Sequence, residues 1–311
     1  MVPFFSVVIP TFNRSNKLRR CLRSVLIQSF NNYEVLVIDD GSTDDSSSIV
    51  SSFRDSRIRY YWFPNSGGPA TPRNHGIDLA SADWVCFLDS DDIWYSDKLL
   101  HVSYAISQHP NSDVFCNNEK LTVLATKSKS LLCYGPYARN FYRVMLLQGN
   151  RLSTSATTVR RSFLNQHLLR FNESPEYKIV EDYDMWLRIA FYGANFYFIN
   201  LYLGEYVVED DNISSNLPSL LHNKRILLRD HVYKIQRFQL DKDKLWLEIN
   251  AGLLLTDSFA CLKFKKYEPA VKYFYSAIKC SPFGSLRYSI MKLVYFACRA
   301  FLLYRLKRNL A

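Results

Sequence analysis

Residues Trp84 to Trp94 read WVCFLDSDDIW, an apolar stretch that runs straight into three carboxylates, Asp89, Asp91 and Asp92. A strand buried on both faces cannot hold charge in its interior, so carboxylates at its end sit where water, a metal or a cationic ligand meets them. Two carboxylates spaced D-x-D reach one hard divalent cation and leave its other positions to phosphate oxygens. For an isolated DxD, a solvated acidic turn that caps the following helix is the better account. The surrounding sequence decides between the two.

Upstream of this junction, strand and helix signals alternate. Ser6–Pro10 is a β-branched apolar run, and Leu18, Cys21, Leu22, Val25 and Leu26 then recur at helical spacing. A second strand, Tyr33–Ile38 (YEVLVI), ends at Asp39-Asp40-Gly41-Ser42, and a third reads Ile58–Phe63 (IRYYWF). The Gly/Pro-rich loop NSGGPATP leads into a short helix through Leu79, and the strand Trp84–Leu88 follows. Strands separated by helices of this length imply right-handed crossovers and a parallel sheet. The ligand site of such a sheet lies outside the carboxyl ends of its strands. Polar groups collect at three of these ends: Thr11, Asn13 and Arg14; Asp39 and Asp40; and Asp89, Asp91 and Asp92. That convergence moves the reading of the DxD from a turn to a site.

A chain of 311 residues with 48% hydrophobic content buries a large core and suits two domains. Seven scattered cysteines without a C-x-x-C pair read as reduced core residues of a cytoplasmic protein. The apolar start lacks a basic leader and a cleavage signature, so it reads as a strand and not a signal peptide. No run reaches about 18 uninterrupted apolar residues, so no spanning helix is expected. The net charge of +10 suggests a nucleic-acid partner only at first sight. Residues 1–219 carry 21 Lys and Arg against 23 Asp and Glu, whereas residues 220–311 carry 18 against 6. The basic excess belongs entirely to the last third, and no nucleic-acid partner is expected.

The middle of the chain holds a second acidic cluster, Glu181, Asp182 and Asp184, at the start of a helical pattern (VEDYDMWLRIAF). Carboxylates there can serve simply as partners of the helix dipole. From about residue 220 the pattern is helical and basic. Leu253–Pro282 reads as a helix pair similar to a single tetratricopeptide repeat, with its turn at Lys265–Glu268. The tail Leu286–Leu310 mixes apolar residues with Arg and Lys. It suits either a helix in an anionic membrane interface or a helix docked on its own domain.

The set SVVIPTFNR, VIDDGSTDDS, GPATPRNHGI, FLDSDD and VEDYDMWLR resembles the family 2 glycosyltransferases, over roughly residues 4–215. Each motif alone is weak, and their order and spacing carry the match. The resemblance implies a GT-A fold: a Rossmann-like α/β domain with a mostly parallel sheet flanked by helices. Here it is followed by a C-terminal helical extension. It divides the chain into a nucleotide-sugar-binding half (1–110), an acceptor and catalytic half (111–219) and the basic extension (220–311). It implies an inverting transfer from a nucleotide-diphospho-sugar to a saccharide or lipid-linked saccharide, with Mn²⁺ or Mg²⁺. Pro10, Thr11, Asn13 and Arg14 would line the nucleotide pocket, and Asp39 or Asp40 would bind the base. Arg73 would contact the nucleotide, Asp89 would approach the ribose, and Asp91 would hold the metal with Asp92 beside it. Asp182 would be the general base. Inverting transfer needs one such base opposite the leaving group, and a metal suits the charge that develops on a departing diphosphate.

Two departures from the family pattern stand out. The basic Y-R-x-H stretch is replaced by EYVVEDDNIS (Glu205–Ser214), and the turn G-F-D-E by RFNE (Arg170–Glu173). The first leaves open a second reading, a GT-A-like scaffold that docks on a membrane or partner through its basic tail. An aspartyl-phosphate phosphatase would leave the other four motifs without a role, and a Rossmann dehydrogenase would need a G-x-G-x-x-G that is missing after the first strand. The expected location is cytoplasmic and peripheral on the inner face of the cell membrane, with the tail lying on anionic lipid.

Overall fold

The computed structural model describes residues 2–209, 217–263 and 267–281, in two compact units, Met1–Leu220 and Leu221–Ala311. The first unit begins with β1 (Phe5–Thr11), α1 (Ser15–Leu26), β2 (Tyr33–Asp39), α2 (Ser46–Ser52), β3 (Ile58–Trp62), α3 (Ala70–Leu79) and β4 (Trp84–Phe87). It continues through β5 (Ile93–Trp94), α4 (Lys98–Gln108), β6 (Val114–Val123), β7 (Ser128–Leu132), α5 (Phe141–Gln148) and β8 (Thr157–Arg160). α6 (Arg161–Gln166), α7 (Glu181–Phe191) and β9 (Phe196–Val208) complete it.

All nine strands join one sheet in the order β3-β2-β1-β4-β8-β6-β9-β5, with β7 paired to β6. The first four run parallel, as the strand–helix alternation predicts. Antiparallel β8 then joins β4, and antiparallel pairings also attach β5 and β7, so the sheet as a whole is mixed. Register brings the carboxyl ends together. Thr11 lies opposite Asp39, and β4 runs beside Phe5–Val8. Because β8 is antiparallel, with Cys86 opposite Thr158, the residues that precede β8 fall beyond the end of β4, next to Asp89.

Burial follows the apolar pattern. Every residue of β1 and β2 is buried, and so are Leu18, Cys21, Leu22 and Val25 on the inner face of α1. The helix after the Gly/Pro loop packs tightly on β1: a Cβ at Gly76 would stand 2.2 Å from Cγ1 of Val8. Glycine there lets the two backbones approach, which sets α3 and its Arg73 against the sheet.

In the second unit, α9 (Lys242–Lys263) and α10 (Tyr267–Cys280) form the expected helix pair, preceded by α8 (Leu217–Asp230). The pair is held by buried Ala251, Leu255, Ala270 and Ala277 and by a bond from Ser258 Oγ to the Ala270 carbonyl, 2.8 Å. Arg225 pairs with Asp257 on α9 at 2.8 Å. By length and mean hydropathy, Lys242–Leu262 is long and apolar enough to cross a membrane. The sequence expectation of no spanning helix rested instead on uninterrupted apolar runs, and Asp243, Glu248 and Asp257 break this one. The tail Leu286–Leu310, most of the acidic stretch after Glu209 and part of the turn at Lys265–Glu268 lie outside the described residues.

Gly76→Ala is expected to lower the unfolding free energy by about 1–3 kcal/mol through overpacking against Val8. Urea denaturation checks this, and an unchanged midpoint would contradict the close α3–β1 contact.

Candidate active site

A cleft of about 680 Å³ opens across the carboxyl ends of β1, β2 and β4. Pro10 and Thr11 line it from the end of β1, Arg14 from the loop that follows, and Asp40 from the loop after β2. Arg73 contributes from α3, Asp89 and Asp91 from the loop after β4, and Glu181 and Asp182 from the first turn of α7. The fold thus gathers the two acidic clusters of the sequence, about 90 residues apart in the chain, around one cavity.

The three carboxylates after β4 turn in different directions. Asp89 is 29% exposed at its side chain and accepts from Arg73 Nη2 at 2.6 Å. Asp91 accepts from Arg14 Nη1 at 2.6 Å, and its main-chain carbonyl accepts from Arg20 Nη2 at 2.9 Å. Burial pushes the Asp91 carboxyl above the usual range, and Arg14 opposes that push. Asp92, expected beside Asp91 at the donor site, does not line the cleft. It is buried, accepting from Ser155 Oγ at 2.5 Å and from the Val207 amide at 2.9 Å. Its carboxyl is pushed well up by burial and then by Asp91 and Glu119. Asp92 therefore latches the loop to β9.

The second cluster is joined to the first by Arg73, only 4% exposed. Its Nη1 donates to Glu181 at 2.7 Å while Nη2 holds Asp89. Burial works against its charge, but Asp89 and Glu181 outweigh that and raise its pKa above the ordinary arginine value. Asp182 faces the cleft, with Oδ1 accepting its neighbour's amide, Tyr183 N–H, at 2.7 Å. Burial first and Glu181 second push its carboxyl up to about 7, against the pull of Arg73. Just before this helix, Ile179 holds a φ of 76°. A β-branched residue there is strained, and such strain collects at working sites.

At the other end of the cleft, Asp40 Oδ1 accepts from the amide and hydroxyl of Ser66 at 2.8 and 2.7 Å. Thr11 Oγ1 is buried there without a hydrogen-bond partner among the described residues. Asp39 and Asn13 do not line the cavity. Asp39 is fully buried and accepts from Ser42 N–H and the Tyr60 hydroxyl. Exposed Asn13 exchanges bonds with Thr43 and Ser42, so it ties the loop after β1 to the loop after β2. Both act as braces because a carboxylate or amide at a strand end can bond its own turn as readily as a ligand.

Ser155 and Lys98 carry no sequence signal, and Asn74 carries one only through the GPATPRNHGI motif. Ser155 accepts the Asp89 amide at 3.0 Å, donates to Asp92, and offers its carbonyl to Trp94 Nε1 at 2.8 Å and to Lys98 Nζ at 2.9 Å. Lys98 is fully buried, also donates to Asn117 at 2.6 Å, and is brought down to about 8 by burial. Asn74, beside Arg73, clasps the RFNE segment through the Phe171 carbonyl and amide and the Glu173 carboxylate.

Among the described residues, no three His, Cys, Asp or Glu side chains converge as a complete metal shell. Asp89 and Asp91 nevertheless present two hard oxygen ligands at the cleft wall. A divalent cation that completes its shell with phosphate oxygens needs no more, so the donor set fits Mn²⁺ or Mg²⁺.

The family model "Glycosyl transferase family 2" matches residues 6–163, and the chain belongs to that family. A GalNAc(5)-diNAcBac-PP-undecaprenol beta-1,3-glucosyltransferase of Campylobacter jejuni is 42% identical over 101 residues, 32% of this chain and 33% of that one. The first curated relatives are matched over as little as 16% and as much as 66% of their own length. Two solved structures share the fold. S. aureus TarS 1–349 in complex with UDP-GlcNAc aligns at a TM-score of 0.62 and 18% identity, over 88% of this chain and 91% of that one. The mannosyltransferase PcManGT of Pyrobaculum calidifontis, with GDP-Man and Mn²⁺, aligns at 0.59 and 18% identity, over 98% and 83%. The GT-A class that the motifs imply is the fold observed.

Arg73→Met should strand two carboxylates, one of them buried, and destabilise the protein by about 3–5 kcal/mol. Thermal or urea unfolding measures this, and a loss below about 1 kcal/mol would contradict the bridge.

Proposed function

We propose that the protein is an inverting glycosyltransferase that moves a sugar from a nucleotide-diphospho-sugar to a hydroxyl of a saccharide or lipid-linked saccharide. The observation that carries this reading is one cleft holding both the Asp89–Asp91 pair and Asp182, whose carboxyl is pushed up to about 7. A base poised near neutral pH suits removal of a hydroxyl proton. In the transfer, the acceptor O–H proton passes to a carboxylate oxygen of Asp182. The acceptor oxygen bonds to the anomeric carbon from the face opposite the diphosphate, and the bond from that carbon to the diphosphate oxygen breaks.

Asp91, with Asp89, would hold Mn²⁺ or Mg²⁺, which when bound supplies positive charge to the departing diphosphate. Asp40 and Thr11 fit recognition of the nucleoside, and Pro10 shapes that end of the cleft. Arg73 braces the cleft, each terminal nitrogen holding one carboxylate, and its remaining N–H groups would serve the donor nucleotide. The donor half would be residues 1–110, the acceptor half 111–219 and the basic extension 220–311. A lipid-linked acceptor is supported by the basic excess of that extension and by the undecaprenol-linked acceptor in the name of the Campylobacter relative. Cytoplasmic work at the inner face of the membrane follows from the same charge argument.

Donor turnover with Mn²⁺ tests this reading. Asp182→Asn should lower kcat by about 10²–10⁴-fold. Because the active form is the carboxylate, kcat/KM of the wild type should fall about tenfold per pH unit below about 7 and level off above it. Full turnover by Asp182→Asn, or a flat profile from pH 5 to 8, would sink the assignment.

A further inference from the structure

The replacement of the family's basic stretch by acid raises the question of which cation meets the donor diphosphate. Three basic side chains flank the DSDD loop from the start of α1: Arg14, Lys17 and Arg20. Glu209, the first residue of the acidic run after β9, accepts from Arg20 at 2.9 Å and pairs with Lys17 at 3.2 Å. Arg20 also holds the Asp91 carbonyl. Neither of those two cations lines the cleft, and Glu209 holds both. Arg73 lines the cleft but is nearly buried and stays held by Glu181 whatever happens at Asp89.

Lys178 also lines the cleft, from the segment before α7, and Arg14 differs from all four in pairing with the Asp91 carboxylate itself. It lines the cleft at 19% side-chain exposure, and its one carboxylate partner among the described residues is Asp91, at 2.6 Å. Asp91 is also the carboxylate that a divalent cation would take. A dication and a guanidinium on one carboxylate repel, so binding of one weakens the other. A guanidinium set loose at the cleft wall finds its best partner in a diphosphate, whose oxygens match its planar fork.

We propose that Arg14 and the divalent cation compete for Asp91, and that the displaced Arg14 guanidinium pairs with the donor diphosphate. The acidic stretch and the reassigned arginine are then parts of one arrangement. Glu209 immobilises Lys17 and Arg20, and Arg14 supplies the mobile positive charge. This inference rests on the transferase reading above.

The test measures Mn²⁺ alone by the electron paramagnetic resonance signal of the free ion, and UDP and GDP at saturating Mn²⁺ by calorimetry. Arg14→Gln should bind Mn²⁺ about fivefold tighter than wild type, since a partly buried competing ion pair has been removed. The same variant should bind the nucleoside diphosphate about tenfold more weakly, through loss of a charge-assisted contact. Arg14→Lys keeps the positive charge and should bind Mn²⁺ close to wild type, and circular dichroism verifies folding of both variants. A purely structural role would weaken both ligands together. Mn²⁺ affinity that is unchanged or lower in Arg14→Gln, or nucleotide affinity that is retained, overturns the exchange. Failure of the wild type to bind either nucleotide with Mn²⁺ overturns the transferase reading itself.

Discussion

Arg73 sits between Asp89 and Glu181 at 2.6 and 2.7 Å, almost sealed from solvent, and the geometry of the cleft depends on it. One partner opens the DxD loop at the end of β4 and the other opens the helix that carries Asp182. Neither segment is fixed by a regular hydrogen-bond ladder at that point, so the guanidinium fork sets their separation. The planar group holds its donors in a rigid fork, a fixed geometry that the rotating ammonium of a lysine does not reproduce. Tight packing of α3 on β1 at Gly76 holds the fork in place, and stacking of the guanidinium over Phe171, 5.3 Å from the ring centroid, fills its remaining face.

The acidic residues divide the labour through their surroundings. Asp89 and Asp91 keep partial access to the cleft and are each matched by an arginine. Asp92 is turned inward to Ser155 and β9, where it is structural. Asp182 lies beside Glu181, a like charge, and that neighbour together with burial moves its titration toward neutrality. The proposed metal-directed and proton-accepting roles thus rest on differences of environment among residues of one type.

Much of this was legible in the chain. The apolar runs at β1, β2 and β4 and the 3.6-residue spacing of Leu18, Cys21, Leu22 and Val25 state their structure locally, and order along the chain implies which strand ends meet. The antiparallel strands were less visible, because β8 and β5 are only four and two residues long and their pairing depends on distant partners. Spacing also cannot say which way a short acidic side chain turns. Asp39, Asn13 and Asp92 read as donor ligands in sequence, and in the fold each bonds to groups of the protein itself. Ser155 and Lys98 left no trace because their hydrogen-bond partners lie 19 to 66 residues away, and nothing in their own neighbourhoods departs from ordinary composition. A lysine at the start of a helix reads as solvent-facing until its burial against Trp94 is known.

The account's central claim is that one cleft holds donor, metal and base together. Anomalous scattering from crystals grown with Mn²⁺ and a nucleoside diphosphate tests it most directly. The account predicts one Mn²⁺ peak within bonding distance of Asp91, diphosphate oxygens completing its shell, and Asp182 facing the end of the diphosphate where the sugar is carried. A manganese peak away from Asp91, or a nucleotide bound outside the cleft, would contradict it.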